Sequence, residues 1–147
     1  MADFKDLPTH DDLKEAFAAE SGAVHRYLYF AKIADIEGFP DAAQLFRELA
    51  EGGLHNAHGN LDYLTQVGDP VTDLPVGETD RNLAVAVAAE TMAFTQVYPL
   101  MAARAREDGF TDVASWFETL TKAKRAHTDR LMAAMDTLRQ AARKNAP

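Results

Sequence analysis

Gly68-Asp69-Pro70-Val71-Thr72-Asp73-Leu74-Pro75-Val76-Gly77-Glu78-Thr79 is the long break in the helical periodicity of this 147-residue chain. Its two prolines and two glycines argue against a helix. On either side apolar residues recur at helical spacing, in four segments. The first helix is expected over about Asp11–Glu37, with Thr9 as N-cap, Asp12 three residues on in the manner of a capping box, and Gly38 as the stop. The second should start at Pro40, a favoured first helical residue, and reach about Val67. The third begins after Thr79 and ends before Gly109, and the fourth begins after Thr111 and runs towards Arg143. Pro99 predicts a kink in the third, because its ring removes a backbone donor. Gly38-Phe39 and Gly109-Phe110 leave only tight links, so the helices pair as two antiparallel hairpins, with Gly68–Thr79 crossing from one end to the other. The fold class is all-α, a four-helix bundle of ferritin-like arrangement.

Length and composition bound the rest. A chain of this size is expected to form one domain, residues 1–147. With 15 basic and 23 acidic residues the net charge is −8, the wrong sign for tracking a phosphate backbone, so nucleic acid is not expected as a partner. The chain is 47% hydrophobic and 26% charged, which suits a soluble globule. No apolar run approaches the ~20 residues of a membrane span. Met1–His10 has neither a basic region nor an apolar core of the secretory kind, and a cytoplasmic location is the default expectation. There is no cysteine, which excludes disulfides, thiolate catalysis and cysteine-ligated metal. Any metal must be held by His, Asp and Glu.

The two hairpins also repeat each other. Ala18-Ala19-Glu20 recurs as Ala88-Ala89-Glu90, and Leu13 and Ala16 recur as Leu83 and Ala86, all at an offset of 70. After a shift of one residue, Gly38-Phe39, Asp41, Ala43, Phe46 and Leu49 recur as Gly109-Phe110, Asp112, Ala114, Phe117 and Leu120. These matches indicate an internal duplication, and with it a pseudo-twofold relation between the halves. Glu20 shares an apolar stripe with Leu13, Phe17, Val24 and Tyr27, and Glu90 with Leu83, Val87 and Phe94. Two carboxylates on core-facing stripes need a counter-charge, because an unpaired buried charge costs several kcal/mol.

Several phrases resemble the di-iron domain of the rubrerythrin family. They are Ala19 to Phe30, Glu-Gly-Phe-Pro at Glu37 to Pro40, Tyr98-Pro99, Ala105 to Phe110, and the segment Phe117–His127. The resemblance runs from about Leu13 to Leu138. It implies a ferritin-like bundle, often dimeric, that reduces peroxide at a di-iron centre in defence against oxidative stress. The family pattern places a Glu on the first helix, Glu-x-x-His on the second, two glutamates three residues apart on the third, and Glu-x-x-His on the fourth. Glu20, Glu90 and His127 match it. Gly53 and Asn56 stand in the second-helix pair, Ala93 at the second glutamate of the third helix, and Lys124 at the fourth-helix glutamate. The two glutamates that bridge the irons in the family are thus Gly53 and Lys124 here. The duplication gives the same register, since Gly53 pairs with Lys124 and Asn56 with His127 at an offset of 71.

The resulting expectation is a metal-free centre in which Lys124 pairs with Glu20 and Glu90, Gly53 leaves room for the lysine stem or a small ligand, and no family-type peroxide reduction occurs. Tyr27 and Tyr98, which match the family's tyrosines beside the metal, should bond Glu20 or Glu90 through their hydroxyls. Glu20, Glu90, Lys124, Tyr27 and Tyr98 are the candidate catalytic side chains. One alternative holds a single Fe, Mn or Zn ion on Glu20, Glu90 and His127 and acts on peroxide or dioxygen with an external electron donor. Another is a small-ligand binder in the vacated metal cavity, lined by Tyr27, Asn56 and Ala93. A homodimer is the expected assembly. Elsewhere, Glu51, His55, His58 and Asp62 share an outer stripe of the second helix, read as a solvated face. His10 and His25 stand alone.

Overall fold

The computed structural model describes residues 3–147, and among them there is no strand. A 3-10 turn at Phe4–Asp6 precedes α1 (Pro8–Glu37) and α2 (Pro40–Leu64). Then α3 (Thr79–Met92) passes through a π turn, Ala93–Val97, into α4 (Tyr98–Glu107), and α5 (Thr111–Lys144) completes the chain. Two compact units result, Met1–Pro70 and Val71–Pro147, each a helical hairpin. In the first, α1 packs on α2; in the second, α3 and α4 pack on α5.

Three helix ends differ from the sequence reading. α1 begins at Pro8, so Thr9 lies inside the helix and caps nothing; Leu7 holds the cap position without a side-chain bond. Proline suits this place because its fixed φ is helical and its missing N–H is one that a first turn leaves unused. α2 ends at Leu64 rather than Val67, because Val67 N and Gly68 N both turn back onto the Leu64 carbonyl at 2.9 and 3.0 Å. α3 already includes Thr79, with Glu78 at the cap position, and Asn82 Oδ1 accepts from Gly77 N at 2.8 Å to fix the entry. The third segment is also more apolar than expected: the continuous run Thr79–Glu107 holds an 18-residue window of mean hydropathy 1.3, although Glu90 sits within it.

The duplication is visible atom by atom. At the first turn Phe39 N bonds Ala34 O at 2.8 Å and Gly38 N bonds Asp35 O at 3.2 Å; at the second, Phe110 N bonds Ala105 O at 2.8 Å and Gly109 N bonds Arg106 O at 3.0 Å. Both are Schellman closures, and they require the left-handed φ of +83° and +85° that glycine supplies. Beneath them Tyr27 stacks on Phe46 with ring centroids 6.1 Å apart, and Tyr98 on Phe117 at 6.2 Å. Even the ion pair that spans each hairpin recurs, with its sign reversed: Asp35 with Arg47 at 2.9 Å, and Arg106 with Glu118.

A seven-residue seam holds each hairpin together. In α2 the buried positions Ala43, Ala50, Ala57 and Leu64 recur every seventh residue, with Gly53 buried between them. Their counterparts 71 residues on are Ala114, Thr121, Thr128 and Met135. The threonines fit an apolar seam because Thr121 Oγ1 donates to Phe117 O and Thr128 Oγ1 to Lys124 O, at 2.9 and 3.0 Å. Small seam residues let the first pair of helices approach closely at Gly53. A Cβ there would stand 3.0 Å from Val24 Cγ2 and 3.6 Å from Glu20 Oε2, whereas one at Gly52 would meet nothing within 4 Å. The space beside Gly53 is therefore filled from α1, which corrects the expectation that this glycine leaves room for another side chain or a ligand. Val24 is β-branched and stiff in a helix, so it yields little.

The π turn explains the shift in the repeat. The offset is 70 at Glu20 and Glu90 but 71 at Tyr27 and Tyr98, and the extra residue falls where Tyr98 N reaches back five residues to Ala93 O. A wider turn takes up one residue without rotating the rest of the helix. It also sits just before Pro99, where an α-helix would drive the ring into the Thr95 carbonyl.

Two outcomes are predicted. Gly52→Ala should stabilise the protein by about 0.5–1 kcal/mol, whereas Gly53→Ala should lose about 1 kcal/mol, as crowding against Val24 exceeds the gain in helix propensity. Urea denaturation measures both, and the opposite ranking would refute the close approach. Deletion of Gln96 should leave a helical, cooperatively melting protein, because the turn reverts to α-helix. Were the segment ordinary α-helix, the deletion would rotate all later residues by about 100° and abolish the melt seen by circular dichroism.

Candidate functional site

The face of each hairpin that carries a seam glutamate was built by the same local rules, and its two versions differ in charge. In the first hairpin, Glu20 on α1 is half-buried, and its Oε2 accepts from Asn56 Nδ2 on α2 at 3.3 Å. In the second, Glu90 on α3 retains 20% side-chain exposure, and Lys124 Nζ on α5 donates to its Oε1 at 2.8 Å. His127 Nδ1 lies 3.1 Å from the other oxygen, Oε2. Lys124 and His127 are three residues apart on α5, so one turn of helix brings both to the same carboxylate.

The Lys124–Glu90 pair forms as expected, while Glu20 takes an amide from Asn56 within its own hairpin. Lys124 is itself only 27% exposed, so its stem lies along the seam rather than in solvent. Tyr27 and Tyr98 do not match the expectation. Their rings stack on Phe46 and Phe117, and among the described residues no hydrogen bond joins either hydroxyl to Glu20 or Glu90. Ala93, which the resemblance sets at a family ligand position, opens the π turn.

The outer residues mostly do as expected. Glu51, His55, His58 and Asp62 are exposed. His10 is not a loose surface group: it is 3% exposed and meets Phe4 edge-on, with centroids 5.8 Å apart. His25 and His58 share a shallow groove of about 230 Å³ between α1 and α2, a pairing that spacing along one helix could not reveal. A second groove, of about 480 Å³, runs beside the ion cluster and is lined by Ala86, Glu90, His127, Arg130 and Leu131. Arg130 was not singled out from the sequence; its spacing of three from His127 was the available signal.

The donor set does not fit the dinuclear metal centre that the family pattern calls for. Lys124 puts an ammonium, which has three donors and no acceptor, on the oxygen a metal would take. Gly53 has no side chain, and the space for one is occupied by Val24 and Glu20. Within either hairpin, among the described residues, no three His, Asp or Glu side chains converge as a metal site would require. What the cluster can do chemically is pair Glu90 with the Lys124 ammonium and fix the orientation of the His127 ring.

Comparison with known proteins agrees with the motifs. Residues 11–135 match the rubrerythrin family. Rubrerythrin of Porphyromonas gingivalis is 35% identical over 133 residues, which cover 88% of this chain and 66% of that protein. Rubrerythrin of Clostridium perfringens is 33% identical, covering 90% of this chain and 72% of that one. Rubrerythrin of Nitratidesulfovibrio vulgaris is 32% identical, with 90% and 71% covered. The chain spans about two thirds of the length of these relatives. On its family match and on these identities, the chain belongs to the rubrerythrin family, with its ferritin-like all-helical fold.

Proposed function

We propose that this protein is a rubrerythrin-family bundle in which an internal ion network replaces the family's metal centre, so that it serves as a scaffold or a binding protein and does not reduce peroxide by the family's route. The carrying observation is the 2.8 Å contact between Lys124 Nζ and Glu90 Oε1. An ammonium here repels an incoming cation by about 4 kcal/mol per unit charge at about 4 Å and an effective dielectric of about 20. A complete structural metal site gains on the order of 10–16 kcal/mol. The second hairpin offers one carboxylate and one imidazole, both already engaged, and repulsion of a divalent ion would take roughly half to four fifths of even that full gain.

The proposal extends to the setting. It places the protein in the cytoplasm as a homodimer, with neither nucleic acid nor membrane as partner. The exposure of Phe39, Phe110 and Trp116, at about 60% each, is the kind of apolar surface a second copy would cover. A second reading keeps one Fe, Mn or Zn ion on Glu20, Glu90 and His127 and an external electron donor. What favours it is that Glu90 and His127 still meet at 3.1 Å, and it requires Lys124 to leave Glu90.

Elemental analysis separates the two. Protein made in medium supplemented with iron and manganese, and purified without chelator or histidine tag, should carry less than about a tenth of an equivalent of metal, with a melting temperature that chelator does not change. Close to one equivalent, lost in His127→Ala, would overturn the ion-network reading.

A further inference from the structure

The segment Lys122–Arg130 is basic in an acidic protein: it holds Lys122, Lys124, Arg125, His127 and Arg130 against the single acid Asp129, within a chain of net charge −8. Two of these cations already have partners. Lys124 is bound to Glu90, and the Arg125 guanidinium lies over the Phe94 ring, 5.1 Å from its centroid. Arg130 makes no hydrogen bond or ion pair among the described residues, and it lines the groove of about 480 Å³ together with Glu90 and His127. Glu90 does not leave that groove acidic, since both its oxygens are taken, by Lys124 at 2.8 Å and by His127 at 3.1 Å. The contact of Nδ1 with Glu90 holds the His127 ring in place as one wall of the groove. The remaining walls, Ala86 and Leu131, are apolar.

An unpaired guanidinium, an oriented imidazole and an apolar wall together select a particular chemistry. We propose that this groove binds a small organic carboxylate with a short hydrocarbon body, its carboxylate forked by Arg130 and its chain against Ala86 and Leu131. The proposal rests on the ion-network reading, because only a metal-free Glu90 neutralised by Lys124 leaves the groove cationic.

The test is titration calorimetry of the full chain, whose metal content has been measured, with hexanoate, hexanol and inorganic phosphate as probes. Hexanoate should bind saturably at one per chain and at least about tenfold more tightly than either of the others, the difference that a charge-assisted hydrogen bond supplies. Arg130→Gln should weaken hexanoate by at least about tenfold, and Ala86→Phe, which fills the groove and leaves every charge in place, should do the same. Circular dichroism checks that each variant is folded. Equal binding of hexanoate and hexanol, equal binding of phosphate, or affinity unchanged in both folded variants would overturn the proposal. Metal-free protein that fails to bind hexanoate overturns the carboxylate site alone; protein with stoichiometric metal overturns the reading beneath it.

Discussion

A carboxylate on the packed face of a helical hairpin must be answered by positive charge or by good hydrogen bonds, and much of this structure depends on how that demand is met. In the second hairpin the answer is generous. Glu90 keeps one fifth of its side-chain exposure and receives an ammonium on one oxygen and an imidazole on the other. In the first hairpin it is modest, since Glu20 receives one amide at 3.3 Å. The two hairpins are built alike, so this contrast lies in two pairs of equivalent positions: Gly53 against Lys124, and Asn56 against His127.

The duplication makes that comparison possible, because it acts as an internal control. The Schellman turns, the stacked Tyr–Phe pairs and the seven-residue seam recur at a fixed offset. The cross-hairpin ion pair recurs with its charges exchanged between Asp35–Arg47 and Arg106–Glu118, so the constraint there is complementarity and not the identity of either residue. Against that background Gly53 and Lys124 are real departures. The lysine brings a fixed charge to the centre of its seam, and the glycine allows α1 to come close enough for Val24 to fill the gap.

Much of this was legible in the sequence. The glycine stops, Pro40 and the proline-rich crossover mark the helices, and the repeat of Ala-Ala-Glu marks the halves. The contact between Lys124 and Glu90 was legible too, Glu90 from its place on an apolar stripe and Lys124 from the resemblance to the rubrerythrin pattern, in the register that the duplication also gives. Other features depend on the neighbouring helix and left no mark along the chain. Whether Gly53 opens a space is decided by the Val24 side chain on α1, and whether Tyr27 and Tyr98 use their hydroxyls or their rings is decided by Phe46 and Phe117. The π turn lies between these cases: the change of offset from 70 to 71 recorded the extra residue, but only the backbone shows that Ala93–Val97 absorbs it.

The central claim is that Lys124 and Glu90 are energetically coupled at the heart of the second hairpin. A double-mutant cycle tests it most directly, with the stabilities of the parent, Lys124→Met, Glu90→Gln and the double variant measured by urea denaturation of the metal-free protein. A coupling energy of about 1–2 kcal/mol is predicted for a pair this far removed from solvent. Additive effects, with a coupling below about 0.3 kcal/mol, would mean that the two side chains are neighbours without being partners, and would contradict the account.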